Sequence, residues 1–148
     1  MVRKLLVGAL FGFLVVSVAS QDVAQAQAEK RQKLMQGQSA LNKAIKAAVE
    51  AKDYATVEAK AKDLMASSDG IVGAFPAGSG TGKTKAKPEI WDKAADFASG
   101  AKNLSKAAGE LAAAAKAGND ADIGVKMKAV GDTCGACHKA FRAEKYAE

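Results

Sequence analysis

Apolar residues recur at helical spacing along most of the chain, and no segment alternates with the period of a strand. Leu34, Leu41, Ile45 and Val49 are seven, four and four apart, which predicts one apolar face of a helix A over residues 28–52. Asp53 and Tyr54 mark a break. Val57, Ala61, Leu64 and Met65 predict helix B over residues 55–68, closed by the turn formers Ser67, Ser68, Asp69 and Gly70. A glycine-rich loop holding both prolines fills residues 70–88, with Pro88 suited to open the next helix. Ile90, Ala94, Phe97, Ala101, Leu104, Ala108, Leu111 and Ala115 alternate spacings of four and three, a seam that predicts helix C over residues 89–116. After Gly118, Asn119 and Asp120 the same pattern returns in Ile123, Met127, Val130, Cys134, Cys137 and Phe141, predicting helix D to about residue 146. Such seams belong to left-handed, nearly antiparallel helix packing. Four helices with short A–B and C–D links imply an all-α, antiparallel up-down-up-down four-helix bundle.

The start of the chain reads differently. Arg3 and Lys4 precede an almost wholly apolar run from Leu5 to Val16, followed by small residues and glutamines. That run is shorter than the roughly 20 residues a membrane-spanning helix needs. It has the build of a secretory signal peptide over residues 1–26, with cleavage after Ser20 or after Ala26. Residues 27–148 are then the bundle, exported to the periplasm and not integral to the membrane.

Composition narrows the function. Without residues 1–26 the chain holds 20 basic and 15 acidic residues, a net charge of +5. The lysines alternate with acids along helices, and only 5% of residues are aromatic, so a nucleic-acid stripe is not supported. A mild attraction to acidic redox partners is compatible with this charge. Alanine is abundant and large apolar side chains are few, so a bulky apolar cofactor would supply missing buried surface.

The chemistry is concentrated in Cys134-Gly135-Ala136-Cys137-His138, which contains every cysteine and histidine of the chain. Two cysteines three apart reach the two vinyl-derived carbons at one porphyrin edge as thioethers, and the following histidine serves as axial ligand beneath the iron. Zinc would want four ligands and finds three. A thioredoxin-like pair would follow a strand. A Cys134–Cys137 disulfide in a haem-free exported binding module leaves His138 unexplained. The sequence therefore predicts one covalently attached haem c. With the one histidine committed, no Ser/His/Asp constellation and no catalytic residue is expected. Gly78 to Thr84 resembles a phosphate loop but has Ala77 where the first glycine belongs.

The chain resembles the class II cytochromes c, the cytochrome c-prime family, on several segments. These are the haem motif followed by Ala140-Phe141-Arg142, the stretch from Ala86 to Trp91 through Lys87, Pro88, Glu89 and Ile90, the loop after Phe75-Pro76, and Arg31-Gln32. The resemblance implies that the helices enclose the haem, with Arg31 and Gln32 near its propionates and edge. It also implies that Trp91 and Phe141 pack by it and that Arg142 lies close to His138. In one branch of this class the position four after the helix A arginine is apolar and shields an empty sixth site that binds small gases. In the low-spin branch it is a ligating methionine. That position is Met35. Met127 lies 11 residues before His138, about 16 Å along the same helix, and cannot reach the opposite face of the haem. The reading from sequence is a periplasmic single-electron carrier with His138 and Met35 as axial ligands. The alternative is a five-coordinate protein binding nitric oxide or carbon monoxide. The family also forms homodimers through helices A and B.

Overall fold

The structure, a computed structural model, describes residues 12–146. Helix α1 runs over Gly12–Glu50 and α2 over Tyr54–Asp69. After a 3-10 turn at Val72–Ala74 and the long loop come α3 (Glu89–Asp92), α4 (Ala94–Ala117) and α5 (Asp120–Phe141). Among the described residues there are no strands, only an isolated antiparallel bridge between Ala86 and Arg142.

The four long helices form an antiparallel bundle. The backbone reverses after α1 at Lys52, whose φ is +55°, and Asp53 caps α2 by accepting from the Thr56 N–H. Asp69 pairs with Ser105 while Met65 faces Gly109, so α2 and α4 run in opposite directions. Glu110 pairs with Lys126 while Gly100 faces Cys137, which does the same for α4 and α5. Gly118, at φ +68°, closes α4 in the left-handed conformation that suits glycine, and Asn119 caps α5. The α1–α2, α2–α4 and α4–α5 seams are tight. The fourth seam, between α1 and α5, is almost without backbone contact.

The apolar stripes meet as expected at one end of the bundle. Ile45, Val57, Leu64, Leu111, Ile123 and Val130 are enclosed there with a run of α4 alanines. Two of the expected inward positions are exceptions: Met65 is 37% exposed at the edge of the α2–α4 seam beside Gly109, and Ala94 is exposed at the start of α4.

Three boundaries differ from the sequence expectation. Helix α1 continues upstream of residue 28 because nothing between Ser20 and Ala28 breaks a helix, and Ala24 and Ala28 are buried. Residues 1–11 of the expected signal peptide lie outside the described residues, while both expected cleavage positions fall within α1. Helix C is split at Lys93, whose backbone (φ −121°, ψ 49°) leaves the helical region. Helix D ends at Phe141, because Arg142 turns extended to bridge Ala86 and Ala143 donates its N–H to the Lys85 carbonyl at 2.8 Å. No helix among the described residues is long and apolar enough to cross a membrane.

Candidate functional site

A cavity of about 430 Å³ occupies the open seam between α1 and α5. Helix α5 contributes Cys134, Cys137, His138, Phe141 and Arg142 to one wall. The opposite wall is the α1 face made by Ala28, Arg31, Gln32, Met35 and Gln38. These residues recur every three or four positions because one side of a helix does. Phe75, Ile90 and Phe97 make an apolar floor, and Thr84, Lys85 and Ala86 close one side.

The floor is held by edge-on ring contacts, with centroids 4.9 Å apart for Phe75 and Phe97 and 5.3 Å for Phe97 and Phe141. Edge-to-face pairs put positive ring edges against negative faces. The Arg31 guanidinium stands 5.2 Å from the Phe75 centroid. It donates to the Ser79 carbonyl at 3.0 Å and the Ser79 Oγ at 2.9 Å, with a weaker bond to Thr84 Oγ1 at 3.4 Å. Arg31 is only 4% exposed, and burial holds its pKa below the ordinary arginine value. All its protein partners are neutral. A buried cation without a carboxylate is costly unless an anion joins it, so this corner of the cavity fits a ligand that carries acidic groups.

Cys134 and Cys137 are half-buried, and burial pushes both thiols above their usual range. His138 is partly exposed at the cavity. Partial burial, and then the Arg142 charge, pull its pKa below the usual imidazole value. Both effects favour the neutral ring, the form that ligates metals. The donor set is thus two thiols spaced for thioethers, one neutral imidazole and a buried cation around an apolar slot. It fits a flat, apolar, acid-bearing macrocycle with a metal at its centre.

Of the residues singled out from sequence, Cys134, Cys137, His138, Met35, Arg31, Gln32, Phe141 and Arg142 converge on this cavity. Trp91 does not line it. Its indole N–H donates to the Phe75 and Pro76 carbonyls at 3.2 and 3.0 Å, so it braces the loop behind the floor. That loop presses close: a Cβ on Gly80 would stand 2.7 Å from the Trp91 ring. Sequence reasoning missed Ser79 and Thr84, which hold Arg31, and Gln38. The signal for the arginine site was rarity, since arginine occurs only at Arg3, Arg31 and Arg142 in a lysine-rich chain, and two of the three meet here.

The family model described as Cytochrome C' matches residues 26–142. Cytochrome c' from Rhodospirillum rubrum is 36% identical over 148 residues, covering 97% of this chain and 100% of its own. The crystal structure of cytochrome c' from Thermochromatium tepidum superposes with a TM-score of 0.73 at 31% identity, covering 82% of this chain and 97% of that one. The nitric oxide complex of a point mutant of cytochrome c prime from Alcaligenes xylosoxidans does so with a TM-score of 0.73 at 28% identity and the same coverage. With the haem motif placed in a cavity that fits it, the chain belongs to the cytochrome c' family, and its cofactor is one haem c attached through Cys134 and Cys137.

Proposed function

We propose that this chain is an open-site cytochrome c', in which His138 is the protein ligand to iron and Met35 shields a sixth position that takes a small gas such as nitric oxide or carbon monoxide. The observation that carries this reading is the full-length likeness to cytochromes c', among them a protein solved with nitric oxide bound. The position of Met35 agrees with it. Met35 packs against the core cluster while lining the cavity, as a cover would. The α1 wall carrying it is anchored by the Arg31 bonds and, further along, by the enclosed Ile45, and it makes few contacts with α5.

When bound, the haem iron supplies the one-electron couple and the gas-binding position. The chain's own residues do the rest. Cys134 and Cys137 would hold the group on α5, neutral His138 would ligate its metal, and Arg31 would balance its acidic groups at the buried corner. Arg142 places positive charge beside His138. The chain acts in the periplasm after removal of its leader, meets redox proteins there, and pairs with a second copy through α1 and α2.

The second reading, a low-spin electron carrier with Met35 as sixth ligand, is favoured by one observation: a soft thioether lies in the same cavity as His138. A thioether ligand favours ferrous iron and fills the gas site. The visible spectrum of the reduced holoprotein, before and after carbon monoxide, separates the two. The open-site reading expects a broad high-spin band that moves with the gas. A sharp band indifferent to the gas, and abolished in Met35→Leu, would overturn it.

A further inference from the structure

Gln38 is 8% exposed, and its side-chain Nε2 has no hydrogen-bond partner. Native interiors pair nearly all such groups, because a buried N–H that has given up water and found nothing in exchange is unfavourable. The other buried polar groups around this cavity are satisfied. Arg31 donates to Ser79 and Thr84, and the Ser79 hydroxyl donates to the Pro76 carbonyl. Gln38 lines the same cavity as Met35 and His138. It follows Met35 by three residues, about 4.5 Å along the α1 axis and on the same face of the helix.

We propose that the Gln38 carboxamide is the hydrogen-bond donor of the α1 wall, directed at a diatomic gas held opposite His138. This rests on the open-site reading above. Ferrous iron pushes electron density onto a bound gas molecule, so the outer atom gains partial negative charge. A donor on that side stabilises the charged form, and donors beside a haem govern which small ligands it keeps. The amide is neutral at every ordinary pH, so its contribution does not vary with pH. No charge is brought into the cavity, and the unpaired N–H gains its partner only when a ligand arrives.

The rival account of the same orphan is local. Asn42, one turn further on, has an unpartnered Oδ1, and a rotamer change could join the two amides. The two accounts separate in the reduced holoprotein. The readouts are the infrared C–O stretch of the carbon monoxide complex, the rate of nitric oxide loss from the nitric oxide complex, and the thermal midpoint of the gas-free protein. In Gln38→Leu the stretch should rise, and nitric oxide should leave about fivefold to tenfold faster, the worth of one hydrogen bond. Folding of the gas-free protein should hold or improve, since there an unpaired polar group has been removed. Gln38→Ala should move both ligand readouts in the same direction, and Asn42→Leu should move neither. Unchanged stretch and release in both Gln38 variants, with a midpoint lowered equally in Gln38→Leu and Asn42→Leu, would overturn the proposal in favour of the local pair. Wild-type protein that binds carbon monoxide while the Gln38 variants match it sinks this proposal alone. Wild-type protein that takes up no gas sinks the open-site reading, and this proposal with it.

Discussion

Where α1 hands over to α2, the bundle is filled by its own side chains. Ile45, Val57, Leu111 and Ile123 are fully enclosed, and Lys52, Tyr54 and Asp120 knit the outside, with the Tyr54 hydroxyl donating to Asp120 at 2.8 Å. At the opposite end α1 and α5 stand apart around a cavity, an aromatic floor and a buried arginine with only neutral protein partners. One end is complete as a polypeptide, while the other has walls, floor and charge arranged for something the chain does not encode. An alanine-rich sequence has limited apolar volume, and the largest fully enclosed apolar side chains all lie away from the cavity.

That contrast can be broken most severely at the open end. Replacing Cys134 and Cys137 together by Ser should abolish covalent haem retention, read as loss of haem stain on a denaturing gel. Retained stain would contradict thioether attachment. The next largest effect belongs to the closed end. Leu111→Ala should cost about 2–5 kcal/mol of unfolding free energy by denaturant titration, while the visible spectrum of the folded holoprotein stays unchanged. A spectral change would mean that the two ends are not independent.

Gly80→Ala sharpens the comparison at intermediate size. Its Cβ would press on the Trp91 ring, which is tied to the Phe75 and Pro76 carbonyls, so the loop behind the cavity floor must shift. We expect a loss of about 1–3 kcal/mol, together with a perturbed haem spectrum, whereas Leu111→Ala leaves the spectrum alone. The smallest effect is Asp120→Asn. Hydrogen bonds from Lys52 and Tyr54 hold the Asp120 carboxyl below its usual pKa. Its stabilising contribution is therefore present above the unfolded value and is lost as pH falls through the folded one. The thermal midpoints of wild type and variant should differ slightly at neutral pH and converge below about pH 4. A gap that widened on acidification would assign the wrong sign to the interaction.

The closed end was largely legible in the sequence. Leu104, Ala108, Leu111 and Ala115 are buried as their four-three spacing predicts, and so are Val57, Ala61 and Leu64. Periodicity reads such positions because helix geometry alone decides their face. The break at Lys93 and the end of α5 at Phe141 were not legible, since each depends on a distant partner. The indole of Trp91 reaches back to the loop, and residues 142 and 143 pair with residues 85 and 86. The site divides in the same way. Cys134, Cys137 and His138 announce themselves by local spacing, whereas Ser79, Thr84 and Gln38 gain meaning only when the loop and α1 meet.

The open seam also bears on how the chain finds its fold. Each tight pairing joins long helices that are consecutive along the chain: α1 with α2, α2 with α4 across the loop and the short α3, and α4 with α5. Among the long helices, α1 and α5 lie farthest apart in sequence, and their seam, residues 28–39 with residues 134–142, is the one the protein hardly makes. A chain whose contacts are mostly local collapses quickly, because little loop entropy must be given up before contacts form. The longest-range closure in the molecule is thereby delegated to the cofactor, so the polypeptide keeps the topology of a fast folder and the haem closes the ring.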